Sequence, residues 1–445
     1  MQSAPATSRP QAARLATAAA FVAQGLMFTV LLTHLPQFTD RYHLSDGSVT
    51  LIVLTVTVLA GVGSLFSEVL AGAASSRTAL RCGLLVVALA GTVIALAPGR
   101  VIFVTGFAVY GIGVGAVDAA GNMQAVAVQH RYGRSIITSF HAAWSAAAIA
   151  GALSVSGGER LRIPLAASIL PAAAVVLLIA LVAGPALLPR ARSATAPDLG
   201  PADPPQPGTS SGASPGSAWD DPRVTVVRGP LLLLGLAMTC FWAVDSGVSN
   251  WSALYLRDLL GAANSTAALG YAFYQSMALV SRLSGDLAVR RFGAGTAVRA
   301  GAILGTAGTA LVALAPGPTV AILGFGLAGL GLPVVAPLCF SAAGAVVRAK
   351  QRNAGPQDEV AAVDSAVARL NVFNYLGSLL GAVVIGGVAT VSDLRAGFVV
   401  PVLLAAILFF LARAFAPASA PAFRSHPPDA GTEPGRRSTS ADPHR

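Results

Sequence analysis

Residues 300–347 read AGAILGTAGTALVALAPGPTVAILGFGLAGLGLPVVAPLCFSAAGAVV, and the run contains no Asp, Glu, Lys or Arg. A transmembrane helix needs about 20 predominantly apolar residues, so the run is long enough for two. The segment Ala315-Pro316-Gly317-Pro318 interrupts it near its middle, and Pro and Gly mark turns. We therefore expect two membrane-spanning helices joined by a tight turn.

Composition extends this interpretation to the whole chain of 445 residues. Hydrophobic residues make up 54% of the chain and charged residues 11%, whereas soluble domains carry about 25% charged residues. So few charges cannot cover the surface of a chain of this length, and lipid must be its solvent. The predicted fold class is an all-α membrane protein.

Charge-free runs of similar length recur along the chain, and we predict twelve transmembrane helices. They cover residues 13–36, 47–72, 79–97, 101–127, 135–157, 163–188, 229–256, 264–289, 294–315, 319–346, 360–389 and 396–415. They divide into two six-helix bundles, residues 1–189 and 229–416. Residues 190–228 and 417–445 are rich in Pro, Gly, Ser and Asp. Such segments cannot bury an apolar face, so we predict a disordered linker and a disordered tail.

The basic residues indicate the orientation of the chain. Its net charge is +10, which in a soluble protein would favour a nucleic-acid partner. Here the arginines lie in the gaps between the spans, and most of them fall on the side of the two termini. Cytoplasmic loops of membrane proteins are enriched in Lys and Arg. We therefore expect a multi-pass protein of the cell inner membrane, with both termini in the cytoplasm and no nucleic-acid partner.

The two bundles contain copies of one pattern, separated by a constant 218 residues. The matching pairs are Thr78 and Thr296, Arg81 and Arg299, Ala97 and Ala315, Phe107 and Phe325, Gly111 and Gly329, and Gly113 and Gly331. Chance does not keep one offset across two spans. Because both copies run in the same direction, they are parallel repeats about an axis along the membrane normal, an arrangement found in the halves of the major facilitator fold.

Over nearly its whole length the chain resembles the major facilitator superfamily, whose signature Gly-x-x-x-Asp-Arg-x-Gly follows the second helix. The first copy has Ser76 in the acidic place, and the second has its acid one turn earlier. The resemblance implies a cytoplasmic latch formed by Gly72, Arg77, Gly285, Asp286, Arg290 and Arg291. Glu68 and Asp286 lie close in sequence to Arg77 and Arg290, so we expect latch salt bridges there.

Within the superfamily the chain is similar to the branch that includes MosC and YbjJ. The segments that carry this similarity are Asp118-Ala-Ala-Gly-Asn122 in the fourth helix, Ser139-Phe140-His141 with Trp144 in the fifth, Asn250-Trp251-Ser252-Ala253-Leu254-Tyr255-Leu256 in the seventh, and Tyr375, Gly377 and Gly381 in the eleventh. This resemblance implies alternating-access transport of a small polar solute such as a sugar, a polyol or an inositol derivative.

Asp118 is the first candidate for a working residue, because it lies inside the apolar stretch Val101–Val128. A charge at the bilayer centre costs about 2.5–3.5 kcal/mol on insertion scales. Asn122 lies one turn further on and shares its face. The equivalent residue of the second half is Ala336, so helix packing does not require the acid. It is either a proton acceptor or substrate anchor, or a structural tie to a neighbouring helix.

Asp245 is the corresponding candidate of the second half, with Trp242 and Ser249 on its face. A proton-coupled carrier needs a carboxylate whose proton affinity changes as its surroundings change from wet to dry. Asp118 and Asp245 are therefore our proton-coupling candidates. A solvated position at the outer end of its helix is the alternative for Asp245.

Further polar residues within the spans are candidates for binding a solute. Apart from Asp118 and Asp245, the set comprises Gln24, Asn122, His141, Trp144, Trp251, Tyr274, Gln275, Asn371, Asn374 and Tyr375. Their amides, hydroxyls and aromatic faces suit a polyol. Polar stripes can also simply hold helices together, at about 0.6 kcal/mol per contact, and a lone histidine in a span can serve packing alone.

We expect a secondary active transporter that works as a monomer, with lipid, a small solute and protons as partners and no cofactor. A proton-driven efflux pump for drugs or metabolites is the alternative; such exporters usually carry Gly-Pro late in the fifth helix, where residues 148–153 contain no proline. An enzyme is not expected, because no span contains a histidine pair or a serine with a nearby base. The three cysteines lack metal-ligand spacing, so we predict no metal site.

Overall fold

The computed structural model describes residues 10–44, 46–189, 228–351 and 355–419, and almost all of them are helical. Most of the linker predicted at residues 190–228 and most of the tail predicted at residues 417–445 lie outside these ranges. Only Arg228, which begins a helix, and residues 417–419, which end one, fall within them.

Six long helices form the first half of the chain. They are α1 (Pro10–Thr33), α2 (Asp46–Ala73), α3 (Ser76–Leu96), α4 (Arg100–Tyr132), α5 (Ile137–Arg160) and α6 (Leu165–Val182). A short helix, Leu35–Tyr42, follows α1, and a 3₁₀ turn, Gly184–Ala186, follows α6. The positions of these helices agree with the sequence prediction to within a few residues.

Six more long helices form the second half. They are α7 (Arg228–Leu254), α8 (Asn264–Phe292), α9 (Ala294–Ala313), α10 (Pro318–Lys350), α11 (Pro356–Val391) and α12 (Val399–Leu411). A π-helical turn, Tyr255–Leu259, extends α7, a short helix, Leu394–Gly397, precedes α12, and a 3₁₀ segment, Ala412–Ser419, follows it. A 3₁₀ turn, Leu332–Val334, interrupts α10, where Pro333 cannot donate a helical hydrogen bond.

Short connections set the ends of several helices. Ser75 caps α3, and its Oγ accepts a hydrogen bond of 3.1 Å from the Thr78 N–H. Gly133 (φ 63°) ends α4 and Gly293 (φ 82°) lies between α8 and α9, in backbone conformations that favour glycine. These tight turns make consecutive helices antiparallel neighbours.

Within the described residues, ten helical segments are long and apolar enough to span a membrane. The two other long helices, α5 and α8, are interrupted by polar residues. These two helices face each other across the halves, and Ser145 of α5 is bonded to Arg282 of α8 where they meet. Together they complete the predicted set of twelve helices.

Helix packing repeats between the halves. In the first half α4 packs on α2 and α3, α1 packs on α5 and α6, and α3 packs on α6. The second half has the same contacts among the equivalent helices: α10 packs on α8 and α9, α7 on α11 and α12, and α9 on α12. This shared pattern of neighbours is the arrangement that the sequence repeat predicted.

Glycines of the repeat allow these close approaches. A side chain at Gly111 would strike the backbone of α2, and one at the equivalent Gly329 would strike the backbone of α8. Likewise Gly113 faces α3, and Gly331 faces the backbone of α9. Small residues let membrane helices pack closely, so each glycine pair has the same role in both halves.

The halves meet through α2 and α11, α5 and α8, and α4 and α11. One end of this interface carries the connections α2–α3, α4–α5, α8–α9 and α10–α11. Arg77, Arg131, Arg134, Arg290 and Arg348 lie at this end, which we call the arginine-rich face.

Candidate functional site between the two halves

Asp118 lies in the middle of α4 and is bonded to both halves of the molecule. Gln24 Nε2, on α1, donates a hydrogen bond to its Oδ1. Tyr375, on α11 of the other half, donates its hydroxyl to Oδ2. The side chain is half-buried. Both carboxylate oxygens therefore have partners, one from each half.

A chain of polar contacts continues from Asp118 towards α5. Asn122 Nδ2 donates to the Asp118 carbonyl oxygen (2.8 Å), and Asn122 Oδ1 lies 3.3 Å from His141 Nε2. The His141 ring also packs edge-on against Phe21 of α1, with 5.1 Å between ring centroids. The structure thus brings together three predicted residues, Asp118, Asn122 and His141, although His141 also serves packing.

Ser145 carries the contacts across to the second half. It lies one turn beyond His141, whose carbonyl oxygen accepts its hydroxyl at 3.1 Å. Arg282 Nη1, on α8, donates a hydrogen bond to Ser145 Oγ. The predicted residue Trp144 lies next to Ser145 and packs against Phe28 of α1, with 5.8 Å between ring centroids.

Sequence reasoning missed Arg282, which is only 6% exposed. It directly follows the charge-free run Leu259–Ser281 and lies inside the predicted span 264–289, but it was not among the candidate residues drawn from the sequence. The spacing of polar residues could have identified it, because Gln275 and Tyr271 precede Arg282 by seven and eleven residues. These are two and three helical turns, and the three side chains therefore lie along one face of α8.

Asp245 is bonded within the second half. Tyr274 donates its hydroxyl to Asp245 Oδ1 at 2.8 Å. The Tyr274 ring stacks against Tyr271 with 6.4 Å between centroids, and Gln275 Nε2 donates to the Tyr271 hydroxyl at 2.7 Å. Asp245 is half-buried, so it is not a solvated helix end. It is the acid whose charge acts on Arg282, although no ion pair within 4.0 Å joins these two described residues.

The remaining candidates are placed differently. Asn371 Nδ2, on α11, donates to Ser64 Oγ of α2 at 3.3 Å, so Asn371 ties the two halves together. Trp251 Nε1 donates to the Ala382 carbonyl oxygen at 3.1 Å, within the second half. Asn374 is 8% exposed and lies one turn from Asn371 on α11.

Several buried polar atoms near these clusters have no hydrogen-bond partner among the described residues. They are the Tyr110 hydroxyl, Trp242 Nε1, Arg282 Nε and Asn371 Oδ1. Buried polar groups are normally hydrogen-bonded, and a group that is not needs an explanation. Unpaired donors and acceptors of this kind are what a polar solute can satisfy.

Charged residues join the halves closer to the arginine-rich face. Arg369 Nε, on α11, lies 3.0 Å from Glu68 Oε1 of α2, and Ser365 donates to the same oxygen. Ser64 Oγ donates to the Ala368 carbonyl oxygen at 3.1 Å. We expected Glu68 to pair with Arg77, and this expectation is wrong. The two helix ends pack so that Glu68 faces α11 of the other half and not its own connection.

Asp286 caps a helix of the opposite half. It accepts hydrogen bonds from the Thr138 N–H (3.2 Å), the Ser139 N–H (3.0 Å) and the Ser135 hydroxyl (2.9 Å). A carboxylate is stabilised at a helix N-terminus, and these groups lie at the start of α5. Arg290 Nη1 donates to the Ser135 carbonyl oxygen at 2.9 Å. The expected Asp286–Arg290 salt bridge is therefore replaced by two separate contacts to the start of α5.

The other latch residues differ in their surroundings. Gly285 lies against Thr138 of α5, where a side chain would meet the threonine. A side chain added at Gly72 would meet no atom within 4 Å. Arg291 lies over the Phe292 ring, 5.5 Å from its centroid. Arg77 is half-buried and forms no ion pair with a described residue.

A cavity of about 110 Å³ opens between the halves at the arginine-rich face. Its lining includes Gln124, His130, Arg131, Arg348 and Glu359. Arg348 Nε lies 3.4 Å from Glu359 Oε1. None of the candidate solute-binding residues lines this cavity, so it is separate from the Asp118 and Asp245 contacts.

No group of three or more His, Cys, Asp or Glu residues in the described ranges could hold a metal ion. The polar contacts between the halves run from the middle of the bundle to the arginine-rich face. These polar groups could hydrogen-bond a solute, and an acid among them could bind and release a proton. The contacts near the arginine-rich face hold the two halves together at that end.

Curated relatives resemble this chain over most of its length. An uncharacterized MFS-type transporter of Yersinia pestis is 27% identical over 392 residues, covering 86% of this chain and 91% of the relative. An uncharacterized transporter, y4wD, of Sinorhizobium fredii is 27% identical over 401 residues, covering 89% and 96%. The membrane protein MosC of Rhizobium meliloti is 23% identical over 382 residues, covering 84% and 83%. No family model matches the chain.

Solved structures share the fold. One crystal structure of the fucose:proton symporter FucP of E. coli has a TM-score of 0.67 at 18% identity, covering 90% of this chain and 97% of FucP. FucP in an outward conformation gives 0.68 at 17% identity, with the same coverage. The human organic anion transporter MFSD10 gives 0.65 at 16% identity, covering 92% and 100%. The shared fold and the relatives confirm the resemblance seen in the sequence: the chain has the major facilitator fold and is similar to transporters of that type.

Proposed function

We propose that this chain is a secondary active transporter of a small polar solute, coupled to protons and working by alternating access. One observation carries the proposal: Asp118 accepts hydrogen bonds from Gln24 in its own half and from Tyr375 in the other. An acid that is bonded to both halves can link its proton to their relative position.

The chemistry of the carboxyl group explains the link. A carboxylate only accepts hydrogen bonds, whereas a protonated carboxyl also donates one. Gln24 and Tyr375 both donate to Asp118. A proton arriving at Asp118 therefore makes one of its oxygens a donor and weakens the hydrogen bond that this oxygen accepts. If Tyr375 leaves, the halves lose a bond near the middle of the membrane and can rock apart.

The polar contacts closer to the arginine-rich face fit the same cycle. Glu68 with Arg369, and Asp286 with the start of α5, join the halves on this side of Asp118. Opening the arginine-rich face must break them. By the positive-inside rule this face is cytoplasmic, with both termini in the cytoplasm, so these contacts would close the cytoplasmic entrance in the present conformation.

The side chains around the acids support a hydroxylated solute as cargo. Gln275, Asn374 and Tyr271 offer amide and hydroxyl groups, and Trp144 and Trp242 offer aromatic faces. Sites for small molecules combine an apolar lining with a few convergent polar groups. FucP, which shares the fold, is named as a fucose:proton symporter, and a sugar, polyol or inositol derivative is our proposal here.

Uptake into proteoliposomes tests this function. The purified chain is screened for accumulation of sugars, polyols and inositol derivatives with and without a pH gradient across the membrane. We expect Asp118→Asn to abolish gradient-driven accumulation while solute exchange without a gradient continues. Such exchange shows that the variant is folded and still binds its solute. Accumulation equal to that of the wild type would remove Asp118 from the mechanism.

A further inference from the structure

We propose that Arg282 binds an acidic group of the transported solute, so that the substrate is a small monocarboxylate such as a sugar acid. The inference rests on the proposed transport function and narrows its substrate class. It depends on the burial of Arg282, on the absence of an ion pair within 4.0 Å between Arg282 and any described acid, and on its position between the halves.

Arg282 is a buried cation with unused hydrogen-bonding capacity. It is the one Lys or Arg among the buried residues of the described ranges, at 6% exposure. Nη1 donates to the neutral Ser145 hydroxyl, and Nε has no partner. A buried charge is costly unless it is paired and hydrogen-bonded. A hydroxyl supplies one hydrogen bond and no charge, so Arg282 lacks the partner that its burial requires.

Neither acid of its own half that could act as a counter-ion does so: Asp286, one turn further on α8, accepts its hydrogen bonds from the start of α5, and Asp245 of α7 has another partner. Asp245 accepts the Tyr274 hydroxyl at 2.8 Å and lies more than 4.0 Å from the Arg282 nitrogens. Among the described residues, the acids that do form ion pairs are Asp258, Glu359 and Glu68, each with a different arginine. The guanidinium therefore remains available to an anion from outside the chain.

The place of Arg282 fits a solute site. Its Nη1 contact crosses from α8 to α5, so it lies where the halves meet. Gln275 lies two turns away on the same face of α8, about 10 Å along the helix axis. An acid group at Arg282 would leave the hydroxyls of the same solute pointing towards the Gln275 amide and the Tyr271 hydroxyl.

The local charges favour a single carboxylate over a phosphate. Guanidinium groups bind carboxylates through two parallel hydrogen bonds, and Nε of Arg282 is free for one of them. A phosphate carries close to two negative charges at neutral pH, and one arginine balances only one. Asp245 lies on the neighbouring helix α7, and its charge disfavours the second negative charge of a phosphate.

Matched pairs of solutes test the proposal on the purified full chain. Thermal unfolding is measured with D-glucuronate and D-glucose, D-galacturonate and D-galactose, gluconate and sorbitol, and lactate and lactamide. We expect an acid to stabilise the wild type more than its neutral match. Arg282→Gln should weaken binding of that acid by about 10- to 100-fold in Kd, the usual size of a lost hydrogen bond to a charged group. The Arg282→Lys variant keeps the positive charge and should retain part of the affinity for that acid.

Two control variants separate the possible outcomes. Arg299→Gln removes an exposed arginine of α9 and should bind as the wild type does. If Arg282 only balances Asp245, the double variant Asp245→Asn/Arg282→Gln would restore acid binding, and that result would overturn the proposal. A panel in which no acid stabilises the wild type more than its neutral match would overturn it as well. Uptake of a neutral solute that survives Arg282→Gln would leave transport standing and reject only the acidic substrate.

Discussion

Asp118 and Asp245 are the two proton-coupling candidates, and they differ in where their hydrogen-bond donors lie. Asp118 accepts one hydrogen bond from each half, from Gln24 and from Tyr375. Asp245 accepts the hydroxyl of Tyr274, which lies on the next helix of the same half. Neither acid forms an ion pair with a described residue, but Asp245 lies close enough to Arg282 for the two charges to act on each other.

From this difference we propose different tasks for the two acids. A change of protonation at Asp118 alters a bond between the halves, so it can bias their rocking. Protonation of Asp245 alters a hydrogen bond within one bundle only. The positive charge of Arg282 opposes this protonation, because it stabilises the ionised carboxylate. We therefore expect the coupling proton at Asp118 and a role in shaping the solute site at Asp245.

The largest effect should come from replacing each acid by its amide. Asp118→Asn should abolish accumulation driven by a pH gradient. Asp245→Asn should retain it, because the carbonyl oxygen of the introduced amide can still accept the Tyr274 hydroxyl. The measurement is solute accumulation in proteoliposomes with an imposed gradient. Loss of coupling in both variants would contradict the division of tasks.

A smaller effect is expected from the two tyrosines. A hydrogen bond to a charged group contributes about 1.5–3 kcal/mol. Tyr375→Phe should therefore shift the equilibrium between conformations by about 10- to 100-fold towards opening of the arginine-rich face, if Asp118 is ionised. Tyr274→Phe removes a bond within one half and should leave this equilibrium unchanged.

Alkylation of a single cysteine can report that opening. Ala368 is fully buried where α2 meets α11. In a background without Cys82, Cys240 and Cys339, an Ala368→Cys variant should react only when the face opens. Equal labelling rates with Tyr375→Phe and Tyr274→Phe would mean that the bond between the halves carries no conformational energy.

The smallest effect should follow from Glu68→Gln. The side chains of Glu68 and Arg369 are 21% and 24% exposed, and partly exposed ion pairs contribute up to about 1 kcal/mol. We expect labelling of Ala368→Cys to rise by up to about fivefold. The exposed pair Arg257 and Asp258 gives the control, because Asp258→Asn should not change the labelling. A response to both variants would point to a general loss of stability.

The sequence allowed much of the architecture to be predicted, and part of the site. The charge-free run at residues 300–347 and the repeat at an offset of 218 residues predicted the spans and their parallel arrangement. Asp118 stood out because a charge in an apolar stretch is costly. Arg282 was missed although it lies inside the predicted span 264–289, because Asp286, Arg290 and Arg291 follow it closely and only the acids in fully apolar stretches were singled out.

The partners of the polar residues could not be predicted. Tyr375 is 257 residues from Asp118, and Arg369 is 301 residues from Glu68. The cation nearer to Glu68 in sequence is Arg77, which led to the wrong pairing. Sequence spacing determines which side chains share a helix face, but it does not determine which face of another helix lies opposite.

The amino-acid sequence by itself determined the number of spans, their grouping into two similar bundles and the burial of a few acids in an apolar medium. It could do so because every backbone polar group in lipid must be bonded within its own helix, and this makes each span a local property of about 20 residues. Only the tertiary structure decided that Asp118 joins the halves, that Asp245 stays within one half, and that Arg282 faces neither acid closely. Those outcomes depend on the packing of helices that are distant in the chain, where each side chain finds its partner on another helix.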